Sequence, residues 1–384
     1  MIRCACSQAV VLVGGEGTRL RPITSRVPKP VAPLLERPML VYLLEHLAKY
    51  GVERVVFSTG FLAEAIRAAV GDGSAFGLEV RYVVEDRPLG TAGAIKNAQD
   101  ELDDGCFLAF NGDVLSEVDL TALVEFHRDR GALGTIFLTP VEDPRRYGVV
   151  ELGDDGLIVE FLEKPSSDVE GGALINAGIY VLEPEVLELI PEGRTYSIER
   201  GVFPGLASLS RLFGYTGSGY WRDIGTPDSY LEAHFDILQR TFETPLSGRL
   251  GESYVFVSPE ASVEADARVV PPAYVGPGAR VASGARVGPL AVIGGGAVVG
   301  ERAAVVESVL QEGVSIGAGA SIERTVIVRE ASIGAGSQVS HSVIGERCRV
   351  GADNQLANGL CLYPEVVVPD GSMKFREVEG RESG

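Results

Sequence analysis

The stretch GGEGTRLRPITSRVPKP at residues 14–30 follows directly after the apolar run AVVLV at residues 9–13. A glycine-rich turn after a strand lets backbone N–H groups converge on an anion, and nearby Arg and Lys side chains neutralise its charge. The prolines on both sides of Lys29 restrict the backbone and so preset the direction of one cationic side chain. The stretch therefore predicts a strand that ends in a phosphate-binding loop.

This loop matches neither of two better-known phosphate loops. The P-loop ends in Gly-Lys-Ser/Thr, whereas Gly17 is followed by Thr18 and Arg19. The dinucleotide fingerprint requires a third glycine where this chain has Leu20. On the residues alone, a tight strand-to-helix turn with solvated arginines is the alternative interpretation.

Short β-branched runs alternate with helical patterns from residue 8 to about residue 240. In the helical pattern at residues 38–50, Leu40, Leu43, Leu44 and Leu47 fall on one face. Such alternation predicts a Rossmann-like α/β fold with a mostly parallel sheet, in which ligands bind at the carboxyl ends of strands. The loop at residues 14–30 stands at such an end.

A six-residue period replaces the helical patterns beyond Pro245. Nine consecutive aliphatic residues recur at this spacing, from Val257 to Val305, and the period slips and resumes as far as Val350. The pattern resembles the hexapeptide-repeat family, whose fold is a left-handed parallel β-helix. We therefore expect a Rossmann-like α/β catalytic domain at residues 1–245, a left-handed β-helix at residues 246–352 and an irregular tail at residues 353–384.

Composition limits the compartment and the partners of the chain. The 384 residues carry a formal net charge of −19, which opposes binding to nucleic acid or to an anionic membrane. We expect a cytoplasmic protein, since residues 1–8 lack a secretory pattern and no apolar run is long enough to span a membrane. The five cysteines form no disulfide framework in sequence, so we expect them to be reduced and to bind no metal.

Further segments match one known family in order along the chain. These are PLGTAG (88–93), FNGD (110–113), YGVV (147–150), EKP (163–165), NAGIYVL (176–182) and WRDIGTP (221–227). Together with GGEGTRLRP and PKP, they resemble the signature of the sugar-phosphate nucleotidyltransferases. The resemblance implies an enzyme that makes a nucleoside-diphosphate sugar and pyrophosphate from a nucleoside triphosphate and a sugar 1-phosphate.

The resemblance also implies roles for individual residues. Asp113 and Asp223 would be ligands of Mg²⁺, which prefers carboxylates and phosphates. Arg19 and Lys29 would hold the triphosphate, and Lys29 would stabilise charge as pyrophosphate leaves. The other nucleotide-binding residues would be Gly14, Gly15, Gly17, Thr18, Glu85, Gly90 and Thr91, and those binding the sugar phosphate would be Gly148, Glu163, Lys164 and Asn176. Taken singly, either Asp could be a turn or N-cap residue, and Glu163 with Lys164 could be an exposed ion pair.

The base and the sugar depend on weaker signals. Relatives that use thymine or uracil tend to have glutamine where this chain has Glu85, and a carboxylate suits the two donors on the edge of guanine. This favours GTP, unless Glu85 is merely an exposed acid at the end of a strand. The guanylyltransferases that use mannose 1-phosphate have a similar hexapeptide-repeat tail, so we expect that sugar.

Several alternatives remain open at this point. The chain could use glucose 1-phosphate with a thymine or uracil nucleotide, or it could be a heptose-phosphate guanylyltransferase. It could be bifunctional, with His341 as the general base of an acyl transfer in the β-helix. It could also be a non-catalytic regulatory subunit, although Lys29, Asp113, Lys164 and Asp223 are all present. Because flat solenoid faces stack, we expect a homo-oligomer, and the β-helix is the candidate surface for it.

Overall fold

A computed structural model describes residues 6–60, 63–163 and 172–374. The chain divides into two compact units. The first contains the residues up to Glu16, Val27–Val31 and Pro38–Ile224. The second contains Gly17–Arg26, Ala32–Arg37 and all residues from Gly225 onward.

The first unit is built on a mixed β-sheet. Its strand Gln8–Leu12 is parallel to Arg54–Thr59 on one side and to Phe107–Asn111 on the other. The strand Glu79–Val84 extends the parallel part beyond Arg54–Thr59. Ala173–Leu182 runs antiparallel to Phe107–Asn111 and begins the antiparallel part. The remaining strands of the sheet are Gly134–Val141, Gly148–Leu152, Ile158–Glu163 and Leu212–Thr216.

Helices cover this sheet. The predicted apolar face of Met39–Lys49 is buried in the core, together with the side chains of the central strands. Asp119 caps the helix Leu120–Asp129, because its Oδ1 accepts hydrogen bonds from the amides of Thr121 and Ala122 at 2.9 and 3.1 Å. The other α-helices of the first unit are Ala63–Val70, Gly90–Asn97 and Phe203–Ser208, and the second unit contains Pro227–Leu238 and Pro245–Arg249. Across the described residues, none of the helices is long and apolar enough to cross a bilayer.

The cysteines differ from the prediction. Cys6 and Cys106 form a disulfide across 100 positions of sequence, so the expectation that all cysteines are reduced is wrong. Cys6 lies just before the strand Gln8–Leu12 and Cys106 just before Phe107–Asn111, and these strands are parallel neighbours. Two thiols that precede adjacent parallel strands meet at one edge of the sheet. No local spacing in the sequence could indicate this pairing.

The C-terminal strands form a left-handed parallel β-helix, which confirms the predicted fold class. Within the described residues they make three all-parallel sheets, one for each side of the coil. Successive coils pair Val263 with Val281 and, where the period slips, Ile316 with Ile333. The aliphatic residues at the six-residue spacing fill the interior of the solenoid.

The coils continue beyond residue 352, where the sequence predicted an irregular tail. Their last strands are Gln355–Leu356, Cys361–Leu362 and Val367–Val368. The signal was present in the sequence, because Leu356, Leu362 and Val368 continue the six-residue period from Val350. The polar segments between these residues obscured it.

Candidate active site

The parallel strands bring four loops to one edge of the sheet. Gly14 follows Gln8–Leu12, and Asp113 follows Phe107–Asn111. Backbone hydrogen bonds continue the pairing past the strands, from Gly112 N to Leu12 O at 3.0 Å and from Glu85 N to Thr59 O at 2.7 Å. Carboxyl ends of neighbouring parallel strands share an edge, so the first strand and its neighbours present their loops together.

Lys29 lies between the two predicted metal ligands. Its Nζ donates a hydrogen bond to Asp113 Oδ2 at 2.5 Å and is 3.9 Å from Asp223 Oδ1. Lys29 is only 7% exposed, so its charge is largely removed from water and is balanced by the two carboxylates. Three residues that are far apart in sequence therefore converge on one point.

A short antiparallel ribbon positions the two aspartates. The strand Val114–Ser116 pairs with Trp221–Asp223, and Asp223 lies directly opposite Val114. The amide of Ile224 donates to the carbonyl oxygen of Asp113 at 3.1 Å. Because adjacent strands in a ribbon keep a fixed spacing, this pairing holds both carboxylates close to Lys29.

The carboxylates fit a divalent cation. Both already converge on the position of the Lys29 ammonium group, so their oxygens can face one positive charge. Among the described residues, no group of three or more His, Cys, Asp or Glu side chains could hold a metal. A cation at this position would therefore take its remaining ligands from phosphates and water, which is the usual coordination of Mg²⁺.

Glu85 faces the start of the glycine-rich loop. Its Oε1 accepts a hydrogen bond from Ser58 Oγ at 3.1 Å, and its Oε2 accepts one from the amide of Leu89 at 2.9 Å. A Cβ on Gly14 would lie 2.7 Å from Glu85 Oε1, so only glycine fits at that position without displacing the carboxylate. Glu85 therefore braces this loop from the end of the strand Glu79–Val84.

The other residues of the loop have different surroundings. A Cβ on Gly15 would meet no atom within 4 Å, so nothing in the first unit explains a glycine there. Gly17 has a φ of 61° and precedes the 3-10 helix Thr18–Leu20, in which Thr18 and Arg19 are exposed. These three residues belong to the second unit.

Gly90 and Thr91 are held by the chain around residues 194–199. Gly90 has a φ of +70°, and a Cβ there would lie 2.8 Å from Tyr196 O. The Thr91 hydroxyl donates to Glu199 Oε2 and accepts from the amide of Ile198, both at 2.8 Å. Packing within the protein thus accounts for the residue types at both predicted nucleotide-binding positions.

Three predicted sugar-binding positions lie on neighbouring strands. Gly148 is paired with Glu163 in one antiparallel ladder, and Val149 is paired with Ile175, which precedes Asn176. Asn176 Nδ2 donates to Tyr180 Oη at 3.0 Å, and its Oδ1 accepts from the amide of Gly178. The backbone of Glu163 is described but its side chain is not, and Lys164 lies outside the described residues.

Sequence reasoning missed two residues that shape the site. Ser58 supports the Glu85 carboxylate, and the only signal for it was its place at the end of a predicted strand. Trp221 Nε1 donates to the carbonyl oxygen of Ala177 at 2.8 Å, and its ring packs edge-on against Tyr147. Trp221 therefore joins the strand of Asp223 to the strand of Asn176.

Three histidines are buried in the structure, and the sequence assigned no role to any of them. Burial lowers the pKa of His46 and of His234 to about 4, and it also lowers the pKa of His127. His127 Nδ1 is 2.8 Å from Thr135 Oγ1, and its Nε2 is 3.1 Å from Glu183 Oε1. Thr135 is itself fully buried, so this chain of polar groups ties a helix to a strand.

A family model described as nucleotidyl transferase matches residues 8–240. The chain belongs to this nucleotidyl transferase family, as the motifs predicted. A second model, of the GMPPB C-terminal domain, matches residues 269–371 in the β-helix. The nucleotidyl transferase family generally uses a divalent metal ion, and a nucleoside triphosphate with a sugar phosphate are substrates consistent with it.

Curated relatives in this family carry guanylyltransferase names. The mannose-1-phosphate guanylyltransferase of Mycobacterium tuberculosis is 44% identical over 253 residues, which cover 64% of this chain and 69% of that protein. The mannose-1-phosphate guanyltransferase of Saccharomyces cerevisiae is 39% identical over 229 residues. That match covers 58% of this chain and 63% of the yeast protein.

Solved structures resemble the nucleotidyl transferase part of the chain. HddC from Yersinia pseudotuberculosis is 30% identical with a TM-score of 0.53, over 60% of this chain and 99% of HddC. A putative glucose-1-phosphate thymidylyltransferase from Bacillus anthracis is 26% identical with a TM-score of 0.56. It covers 62% of this chain and 98% of its own.

Proposed function

We propose that this chain transfers a guanylyl group from GTP to mannose 1-phosphate, giving GDP-mannose and pyrophosphate. The observation that carries the proposal is the convergence of Lys29, Asp113 and Asp223 at the carboxyl edge of the sheet. An oxygen of the sugar phosphate would attack the α-phosphorus, and the bond from that phosphorus to the β-phosphate oxygen would break. Both reactants are polyanions, so a site for this reaction must collect positive charge.

Lys29 is the proposed resident cation of the site. Its ammonium group is buried, so its interaction with phosphate oxygens is less screened than on an open surface. It would stabilise the charge that develops on the departing pyrophosphate. The predicted contribution of Arg19 to triphosphate binding stays a prediction.

Mg²⁺ is the proposed metal, and Asp113 and Asp223 would hold it. When bound, it would neutralise phosphate charge. The two carboxylates themselves set where this positive charge is concentrated. Lys29, which already binds Asp113, would keep the carboxylates from repelling each other before the substrates arrive.

GTP is supported by Glu85 and by the comparisons. Glu85 is a carboxylate that only accepts hydrogen bonds, and guanine offers two donors on one edge. HddC from Yersinia pseudotuberculosis, which is similar in structure, has been crystallised in complex with GMP-PN. Both Glu85 oxygens already accept a hydrogen bond from the protein, but each has a second lone pair for a base.

Mannose 1-phosphate is supported by the names of the curated relatives and by the neighbouring strands that carry Gly148, Glu163 and Asn176. Lys164 directly follows Glu163 in sequence, and its proposed contact with the sugar's phosphate would place a charge beside these residues. The proposed order of groups is therefore base near Glu85, triphosphate near Lys29 and sugar near Gly148.

The test is pyrophosphate release by the purified full chain with Mg²⁺. GTP, ATP, CTP, UTP and dTTP are each combined with the 1-phosphates of mannose, glucose, glucosamine and heptose. Release concentrated at GTP with mannose 1-phosphate is expected. Release at another combination would keep the reaction and replace the base or the sugar, whereas no release at any combination would favour a regulatory subunit.

A further inference from the structure

A buried carboxylate in the β-helix pairs with Arg26, which ends the segment that carries Thr18 and Arg19 of the proposed nucleotide site. Glu346 is only 4% exposed and lies at a corner of the solenoid. Its carboxylate is 3.3 Å from Arg329, 3.6 Å from Arg26 and 3.8 Å from Arg347. A buried carboxylate needs such compensation, because leaving it unpaired costs several kcal/mol.

Arg26 differs from the other two arginines in where it comes from. Arg329 and Arg347 are solenoid residues, whereas Arg26 ends the segment Gly17–Arg26, which includes Thr18 and Arg19. The Arg26 guanidinium makes a second ion pair, at 2.9 Å, with Glu365 of the next coil. The two coils are joined at this corner, because the amide of Glu365 donates to the carbonyl oxygen of Glu346.

A second segment of the motif region is held by the same unit. In Ala32–Arg37, the carbonyl oxygen of Pro33 accepts a hydrogen bond from the buried Tyr230 hydroxyl. Tyr230 Oη also accepts one from Gln311 Nε2 of the β-helix at 3.1 Å. A Cβ on Gly276 would lie 2.6 Å from Glu36 Oε1, so the Glu36 side chain approaches the β-helix backbone closely at Gly276.

We infer that Arg26, Glu346 and Glu365 are positioning residues for nucleotide binding, and that the β-helix sets the geometry of residues 17–26 through them. This inference rests on the proposed function. The segments Gly17–Arg26 and Ala32–Arg37 both belong to the β-helix unit. The contacts of Arg26 and Pro33 hold these segments to that unit. An ordered loop binds a triphosphate without losing conformational entropy at that step, so releasing the loop weakens nucleotide affinity.

The kinetic test uses Arg26→Gln, Glu346→Gln and Glu365→Gln in the full chain. Each is expected to raise KM for GTP by about fivefold or more, which is the lower end of typical coupling between sites, with KM for mannose 1-phosphate nearly unchanged. Arg26→Lys should restore part of the loss, since it keeps the charge. Glu365 is the exposed ion-pair partner of Arg26, so Glu365→Gln should not disturb the folding of the chain. This variant keeps the test valid if Glu346→Gln fails to fold.

The matched control is Glu330→Gln. Glu330 forms an ion pair at 2.6 Å with Arg347 at a solenoid corner and is not paired with residues 17–37. Its variant should have the kinetic constants of the unaltered chain. If Arg26→Gln and Glu365→Gln match this control, or raise both KM values together, the inference is wrong.

Hydrogen exchange of the backbone amides gives a readout that needs no turnover. Faster exchange in residues 17–26 is expected for Arg26→Gln and Glu365→Gln, but not for Glu330→Gln. Equal exchange in all three variants would refute the attachment of the loop. If the unaltered chain releases no pyrophosphate, the proposed function fails, and this exchange measurement still decides whether the β-helix holds the loop.

Discussion

Lys29 Nζ lies 2.5 Å from Asp113 Oδ2, although 84 positions of sequence separate the two residues. The contact joins the loop after the first strand to the loop after Phe107–Asn111, and Asp223 completes the group from a third segment. The ammonium group faces both carboxylates before any substrate binds, and this cluster has one more negative than positive group. Changing one member therefore alters the field that the triphosphate meets.

The variant Asp113→Asn should lower kcat by about 100-fold or more, which is typical of removing one charge-stabilising group from an active site. Its melting temperature should change little, because the amide oxygen can still accept from Lys29. Chelation of divalent metal should abolish turnover in the unaltered chain. Asp104→Asn, an exposed position in the loop before the same strand, is the control. Near-full turnover of Asp113→Asn would remove Asp113 from the metal site.

The pair of variants Gly14→Ala and Gly15→Ala separates protein packing from ligand approach. A Cβ at Gly14 must displace the Glu85 carboxylate, so that variant should be less stable. A Cβ at Gly15 meets nothing within 4 Å, so Gly15→Ala should keep its melting temperature. If phosphates approach this backbone, its KM for GTP should rise about tenfold, the effect of some 1.4 kcal/mol. An unchanged KM would show that the ligand does not approach Gly15.

The variant Glu85→Gln tests the choice of base. The amide can accept from Leu89 N through its oxygen and donate to Ser58 Oγ, so the loop should stay folded. The ratio of kcat/KM for GTP over UTP should fall, because one acceptor for the guanine edge becomes a donor. Measuring kcat/KM for both nucleotides in both chains checks this. A ratio that stays constant would leave Glu85 with its structural role alone.

Buried histidines predict how stability depends on pH. Desolvation lowers the pKa of His234 from 6.5 to about 4. Between these two pH values, His234 is protonated in the unfolded chain but neutral in the folded chain. Stability is therefore fully present above pH 6.5 and falls as pH drops toward about 4. His46 contributes in the same direction.

The variant His234→Phe should reduce that dependence. Lowering the pH from 6.5 to about 5 should reduce the free energy of unfolding of both chains. The reduction should be about 1.5 kcal/mol smaller for His234→Phe than for the unaltered chain. Urea unfolding at a series of pH values measures both curves. Parallel curves would mean that His234 is protonated in the folded protein.

The disulfide between Cys6 and Cys106 predicts a response to reductant. It closes a loop across 100 positions, which in the chain-entropy model stabilises the fold by about 4 to 5 kcal/mol. Reductant should lower the melting temperature of the unaltered chain. In the absence of reductant, Cys106→Ser should already have the melting temperature that the unaltered chain has after reduction. Cys361→Ser, which removes an exposed free thiol, is the control. Alkylation of both Cys6 and Cys106 in the native, unreduced protein would contradict the disulfide.

The sequence predicted those features that have a local signature. A period of six residues with small residues between the aliphatics can fill a solenoid but not a helix or a flat sheet, so the β-helix was recognisable from Val257 onward. The family was recognisable because its motifs occur in order. The place of the glycine-rich loop at the carboxyl end of a strand followed from the general behaviour of parallel sheets.

Partners distant in sequence could not be predicted. Nothing local to Cys6 indicates Cys106, nothing near Glu85 indicates that Ser58 and Gly14 would surround its carboxylate, and nothing near Arg26 indicates Glu346. Each of these contacts depends on which strands or coils become neighbours and in what register. The sequence by itself determined the architecture, the family and the charged residues available, because periodicity and motif order are properties of the chain. Only the tertiary structure decided which charges meet and which are buried, because these depend on distances that folding creates between distant segments.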